Sequence, residues 1–195
     1  MNNQELMLVG LKEYNKKING PSAYFACLAS YNNGFLHGVR IDMTQDIETI
    51  REEIADMLKC SPVMEKYGDI AEEWEIHDHE GFEGIDIDRY NLEEQNEIAI
   101  ALSESDEPGV WADIFNDFYD GKNIQSVQEY IDDNGAGTHK DLGDFAENLH
   151  SDCYEPVPKH LEYYINWDDM GRDMELNGEI RSYDVKGGIK VLWNR

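Results

Sequence analysis

Residues 22–43 read SAYFACLASYNNGFLHGVRIDM, which is an apolar run, a group of turn-forming residues and a second run. Residues 23–29 are apolar and β-prone, and Asn32-Asn33-Gly34 combines residue types that favour tight turns. Residues 35–43 then return with further apolar side chains. We therefore predict a β-hairpin across 22–43.

A helix is predicted directly after this hairpin. Thr44 can cap its N-terminus, and apolar side chains then recur with a period near that of an α-helix. The positions concerned are Ile47, Ile50, Ile54, Met57 and Leu58.

Two short alternating stretches follow. Trp74 and Ile76 alternate with polar residues, which is typical of a half-buried strand. Ile85 and Ile87 repeat the alternation against aspartates.

Two helices are predicted in the middle of the chain. Asn91 and Glu94 form a capping-box pattern for a helix to about Ser103, with Leu92, Gln95, Ala99 and Leu102 on its apolar side. The next helix, from about Pro108 to Tyr119, has an apolar stripe of Val110, Trp111, Ile114, Phe115 and Phe118. It also carries an acidic stripe of Asp113, Asp117 and Asp120, although like charges four residues apart destabilise a helix.

The C-terminal part predicts helices and a final hairpin. Short helices open at Ser126 and at Thr138 on either side of a loop at 134–137, and one or two more occupy 159–176. Gly178 ends the last helix, and residues 179–185 pair with 189–194 around Lys186-Gly187-Gly188.

This order of elements predicts an α+β fold, an elongated chain of about three small α/β units with short antiparallel sheets and acidic helices. We expect an N-terminal hairpin-and-helix unit over 1–62 and a central acidic unit over 63–121. A C-terminal α/β unit over 122–195 completes the prediction.

The negative charge is concentrated in the middle of the chain. The whole chain has 42 acidic residues against 16 lysines and arginines, a formal net charge of -26. Residues 61–120 contribute about two-thirds of this excess, whereas residues 1–60 are nearly neutral. Because the central segment is also rich in large apolar residues, it predicts a folded surface that displays charge, not a solvated acidic tail.

Composition also limits the compartment and the class of protein. The 3 cysteines form no paired motif, which indicates a reducing compartment. The first ten residues lack a basic region followed by a long apolar one, and no stretch approaches the length of a membrane span. We therefore expect a soluble, cytoplasmic protein.

The sequence offers little catalytic chemistry. Residues 77–80 read HDHE and could hold a metal, but spacing places no third ligand beside them. The run from Asp86 to Glu97 matches a calcium-binding loop only in part, since its sixth position is Asn91 and not glycine. Phosphate-loop, dinucleotide-binding and nucleophile-elbow motifs are absent. We therefore predict a protein that is not an enzyme and needs no cofactor.

A display of this kind suits a basic partner, and no basic patch exists to bind nucleic acid directly. One helix offers about one acid per 6 Å, far below the charge density of DNA, so several elements must act together. We predict that carboxylates of the central segment replace DNA phosphates in a partner's binding site. They are Glu65, Asp69, Glu72, Glu73, Glu75, Asp78, Glu80, Glu83, Asp86, Asp88, Glu93, Glu94, Glu97, Glu104, Asp106, Glu107, Asp113, Asp117 and Asp120.

Several blocks of the chain resemble a known family. They are YFACLASYNNG at 24–34, LHG at 36–38, EEWEIHD at 72–78 with EGF at 80–82, NEIA at 96–99 and RD at 172–173. The sequence resembles the ArdA antirestriction family, over most of its length.

The resemblance implies three small α/β units that dimerise into a curved surface similar to B-form DNA. It implies a target as well, the DNA-binding groove formed by the specificity and modification subunits of type I restriction-modification enzymes. Members of the family travel on mobile genetic elements and protect incoming DNA.

Two other hypotheses remain open at this point. The chain could be an acidic interaction module for another basic protein, such as a nucleoid protein or a transcription regulator. It could also be a metal-dependent enzyme that uses the cluster between His77 and Asp88.

Overall fold

The computed structural model describes residues 12–68, 70–118 and 124–194, without the side chains of residues 64, 65 and 118. The chain forms two compact units, unit 1 up to Asp106 and unit 2 from Glu107 onward. Each unit combines helices with a three-stranded antiparallel sheet, which confirms the predicted α+β class. The division into three units remains a prediction.

Unit 1 is built around one fully buried strand. Its elements are β1 (Ser22–Cys27), α1 (Leu28–Asn32), β2 (Gly38–Asp42), α2 (Ile47–Lys59), α3 (Pro62–Tyr67), β3 (Trp74–Glu80), a 3-10 helix (Ile87–Arg89) and α4 (Leu92–Glu104). The strand order is β2-β1-β3, and every residue of β1 is buried. The uninterrupted apolar run suits this central position because both faces of β1 are covered.

The hairpin predicted across 22–43 is only partly correct. β1 and β2 do pair as antiparallel neighbours, but the segment between them contains the short helix α1. Cys27 caps α1, since its sulfur accepts a bond from the Ser30 amide, and the Ser30 hydroxyl bonds Ser61 Oγ at 2.8 Å. The apolar run therefore leaves the strand after Cys27, and its backbone is helical from Leu28.

Helix α2 has the predicted apolar face but a different start. Ile50, Ile54 and Met57 are buried, as the spacing predicts. The cap is Asp46 and not Thr44, because Asp46 accepts the amide of Glu48, while Thr44 donates to Asp42 in the preceding turn.

His37 makes unit 1 sensitive to acid. Its Nε2 lies 2.7 Å from the Met57 carbonyl oxygen, and burial lowers the pKa of the ring below 6.5 despite that bond. The unfolded chain then takes up the proton first, so the contribution to stability is complete above pH 6.5 and declines as the pH falls toward the folded pKa. Glutamine can still donate to the Met57 carbonyl but does not titrate. We therefore expect the free energy of unfolding to fall less between pH 7.5 and 5 in His37→Gln than in the parent chain. Urea unfolding between pH 7.5 and 5 measures the difference, and parallel curves for the two proteins would contradict it.

Unit 2 places helices against a second sheet of order β4-β6-β5. Its elements are α5 (Pro108–Phe118), α6 (Gln125–Asn134), β4 (Gly135–His139), α7 (Leu142–Cys153), a 3-10 helix (Glu162–Tyr164), α8 (Trp167–Leu176), β5 (Ile180–Val185) and β6 (Gly188–Trp193). Phe145, Met174, Ile180 and Val191 form a core cluster in this unit. The terminal hairpin is confirmed, with Val185 paired to Gly188 and Gly187 at a φ of 96° in the turn.

The loop predicted at 134–137 was wrong in part. Gly135 begins β4, which pairs with β6 at one edge of the sheet and shifts register between Gly135 and Thr138. Thr138 is therefore a strand residue, and Asp141 caps α7 by accepting the amide of Asp144 at 2.9 Å. Two glycines give this strand little intrinsic β-propensity, so it depends on β6 as its template.

Candidate partner-binding surface

Strand β3 carries the first group of predicted acids on an outer strand of the unit 1 sheet. Glu73 precedes it, Glu75 and Glu80 lie within it, and all three are exposed. Trp74 anchors the strand to the core, because its ring lies 5.1 Å from that of Phe25 in an edge-to-face contact. The alternation of apolar and acidic residues thus fixes the strand while leaving these carboxylates in solvent.

A β-bulge in β3 changes the role of Asp78. Phe25 pairs with Ile76 but Tyr24 pairs with Asp78, so His77 is an extra residue between them. Directly opposite residues share a face of a sheet, and Tyr24 also pairs with Arg40 on the other side. The bulge therefore moves Asp78 onto the face of Arg40, to which it is ion-paired.

Arg40 has a structural role that the sequence did not indicate. Its side chain is only 2% exposed, and its Nε donates to the Tyr14 carbonyl at 3.1 Å. A buried guanidinium needs a counter-charge. Asp78 therefore stabilises the fold of unit 1, in addition to any role at its surface.

The bulge also separates the two histidines of the possible metal cluster. The His77 ring contacts Tyr31 at 4.7 Å, whereas the His79 ring contacts Phe82 at 5.6 Å. In the ranges that the structure describes, no group of three or more His, Cys, Asp or Glu residues could hold a metal ion.

The segment after β3 presents its acids next to two buried isoleucines. Ile85 and Ile87 are buried, and Asp86 and Asp88 beside them are exposed. Ile87 lies in a 3-10 helix, so the alternation at 85–88 marks a packed turn and not a strand. Glu83 precedes this turn with a φ of 49°, a left-handed conformation that is uncommon outside glycine.

Helix α4 is fixed by polar contacts at its start. The predicted capping box is present, with the Asn91 and Glu94 side chains each accepting the other's backbone amide. Gln95 donates to the carbonyls of Ile87 and Tyr90, and Asn96 donates to that of Met43 at 2.7 Å. Gln95 does lie on the predicted apolar side of the helix, and its amide nitrogen is used as a donor there. Glu93, Glu97 and Glu104 on the same helix are exposed.

The capping role of Glu94 can be separated from its charge. Glutamine also accepts the Asn91 amide, so Glu94→Gln should keep the capping box and lower stability by only a few tenths of a kcal/mol. Glu94→Ala removes the bond and should cost about 0.3–1.5 kcal/mol. Thermal unfolding of the two variants tests this, and equal losses would mean that the charge and not the cap stabilises α4.

Helix α5 in unit 2 has both predicted stripes within its described part. Val110, Trp111, Ile114 and Phe115 are buried, and Asp113 and Asp117 are exposed. Asp117 also lies 3.3 Å from a guanidinium nitrogen of Arg181 in β5, so part of the like-charge repulsion is offset.

Basic residues, some of them distant in sequence, neutralise several of the predicted acids. Arg51 of α2 pairs with both Glu48 and Glu93, and the pKa of Glu93 lies below its ordinary value because a backbone amide and Arg51 bond its carboxylate. Asp86 pairs with Arg89, and Glu107 pairs with Lys190. A count of acids in the sequence therefore overstates the number of carboxylates in the central segment that are free of a basic partner.

The remaining acids form the group that we call the free acids. They are exposed and make no ion pair within the described part of the chain: Glu72, Glu73, Glu80, Glu83, Asp88, Glu97, Glu104, Asp106 and Asp113. Asp78, Glu94 and Glu107 are only partly exposed and have the structural contacts given above. Asp69, Asp120 and the side chain of Glu65 lie outside the described residues.

Comparison with known protein families identifies the chain. A family model described as "Antirestriction protein (ArdA)" matches residues 23–187. The chain belongs to the ArdA antirestriction family. A search of curated proteins found no match.

Membership of the ArdA family gives the general function. ArdA proteins are inhibitors that act against restriction, so the chain is an antirestriction protein with restriction enzymes as its partners. The ArdA match includes β1 to β5 almost entire, and with them every free acid. Among the described residues, no helix has the length and apolar content needed to span a membrane.

Proposed function

We propose that this ArdA protein mimics B-form DNA and occupies the DNA-binding groove formed by the specificity and modification subunits of a type I restriction-modification enzyme. The observation that carries the proposal is the exposure of the free acids. They lie within β3, the 3-10 turn, α4 and α5 or in the short segments next to them, and these elements have buried apolar faces. Fixed carboxylates lose little entropy when they meet the lysines and arginines that normally bind phosphates.

The amount of charge fits a DNA-sized surface. B-form DNA has about two charges per base pair, so a net charge of -26 is equivalent to roughly 13 base pairs. Self-repulsion of this size destabilises a folded chain, and solubility needs only about 2–8 net charges. Binding to a cationic groove gives the excess a function.

A homodimer would double the display. We propose that residues 122–195 contribute the dimer contacts, as the resemblance to the family implies. Sedimentation equilibrium of the purified chain distinguishes a dimer of about twice 22.5 kDa from a monomer. The proposed target also places the protein in the cytoplasm, where restriction enzymes meet incoming DNA.

The direct test is competition with DNA. A purified type I enzyme is titrated with the chain while binding of a labelled DNA duplex is followed by anisotropy at several salt concentrations. We expect displacement of DNA, with an apparent affinity that falls steeply as salt rises. DNA binding and cleavage that continue unchanged at a large excess of the chain would contradict the proposal. Capture of a nucleoid protein without restriction subunits would favour the general acidic module.

A further inference from the structure

Two tyrosine side chains in unit 2 are almost fully in solvent. Tyr163 is 93% and Tyr164 is 84% exposed, and Leu161 beside them is also exposed. An aromatic side chain buries about 150–250 Å² in a contact, so this pair offers a few hundred Å² of ring surface. Exposed patches of that size usually mark an interaction site.

The segment that presents the tyrosines is held in a defined conformation. It connects α7 to α8, and the His150 ring fastens its two ends by contacts with Tyr154 at 5.4 Å and Trp167 at 5.3 Å. Within it, successive backbone bonds join residue 161 to 158, 164 to 161 and 165 to 162. The tyrosines are therefore carried by a backbone turn that is already hydrogen-bonded, so less backbone entropy is lost on binding.

The surroundings of the pair are acidic. Residues 151–168 contain exposed carboxylates at Asp152, Glu155, Glu162 and Asp168, against Lys159 as the one lysine or arginine in that stretch. Asp169, the next residue, is ion-paired with Arg172. A ring face attracts cations through its quadrupole, and nearby carboxylates strengthen the local negative potential.

We propose that Tyr163 and Tyr164 bind lysine or arginine side chains of the basic partner protein through cation–π contacts. This inference rests on the proposed function, because it takes the cationic groove as the occupant. Charge complementarity selects that occupant. A second copy seated on the tyrosines would bring like-charged patches face to face, so the dimer contacts proposed above are assigned to other parts of residues 122–195. A purely apolar partner would desolvate the surrounding carboxylates. The contribution of the rings to binding depends only weakly on salt, whereas that of the carboxylates depends on it strongly.

The first test measures binding to the type I enzyme. Tyr163→Ala with Tyr164→Ala should raise the Kd about tenfold and leave its salt dependence unchanged. Tyr163→Phe with Tyr164→Phe keeps both ring faces and should stay within about twofold of the parent chain. Thermal unfolding should be the same for all three, since the rings are exposed. An unchanged Kd for the alanine variant, or an equal loss in the phenylalanine variant, would overturn the inference.

A second test separates the tyrosines from the identity of the target. Octa-arginine is titrated into the full chain, and the ring proton resonances of the tyrosines are followed by NMR, with Tyr67 as the control. Tyr67 is 58% exposed and belongs to unit 1. Larger shifts at Tyr163 and Tyr164 than at Tyr67 support the inference even if the type I enzyme does not bind, which would contradict the proposed function alone. Equal or absent shifts overturn it.

Discussion

Neutralising six free acids of unit 1 together should weaken binding of the type I enzyme by about a hundredfold. The changes are Glu72→Gln, Glu73→Gln, Glu80→Gln, Asp88→Asn, Glu97→Gln and Glu104→Gln. An exposed charge pair contributes roughly 0.5 kcal/mol, so six add to about 3 kcal/mol. The loss should be accompanied by a shallower dependence of the Kd on salt, because fewer ionic contacts remain. Competition with labelled DNA measures both quantities.

The control for this variant has the same net charge at other positions. It neutralises exposed acids outside residues 61–120 and away from the tyrosine pair, namely Glu52, Glu129, Asp133, Asp173, Glu179 and Asp184. We expect the control to weaken binding by at most about tenfold, mainly through long-range attraction. Equal losses in the two variants would mean that total charge and not its placement governs binding. A single substitution that abolished binding would indicate a localised site instead.

Asp78→Asn should have the largest effect on stability among single changes to the predicted acids. It leaves the Arg40 guanidinium buried without a counter-charge, for which about 3 kcal/mol is the usual cost. With a typical urea dependence, the unfolding midpoint should fall by about 1–2 M. Urea titration followed by circular dichroism measures this shift.

Asp86→Asn is the matched control for Asp78→Asn. It removes the same charge from a nearby acid whose ion pair with Arg89 is exposed on both sides, at 57% and 74%. Such a pair contributes about 0.5 kcal/mol or less. Similar unfolding midpoints for the two variants would contradict a structural role for Asp78. Their effects on partner binding should both be small, because each removes one charge from a distributed surface.

The helices were the most predictable part of the fold. The apolar spacing of α4 and α5 and the capping box at Asn91 and Glu94 depend on residues within a few positions of each other. The C-terminal hairpin is local too, since two residues join its strands. Such features can be predicted from the sequence because the residues that make the contacts lie close together along the chain.

Features that depend on distant contacts were not predictable. The ion pair of Arg40 with Asp78 joins residues 38 positions apart, and it requires a bulge that shows no local signal. Lys190 reaches Glu107 across 83 positions. For the same reason the sequence could place acids on the candidate surface but could not divide them into free and paired groups. Strand β4 was missed because its glycines lack β-propensity, and the strand forms by pairing with β6.

The central position of β1 has a consequence for the order of folding. β1 and β2 are separated by ten residues, whereas β3 joins β1 only after the chain has closed a loop of more than forty. Short loops close at lower entropic cost, so we expect the nearly neutral pair to assemble first and to provide a template for the acidic strand. Repulsion among the carboxylates then opposes only a late step, when a core already exists to hold them. The chain can therefore concentrate charge in its middle without obstructing its own nucleation.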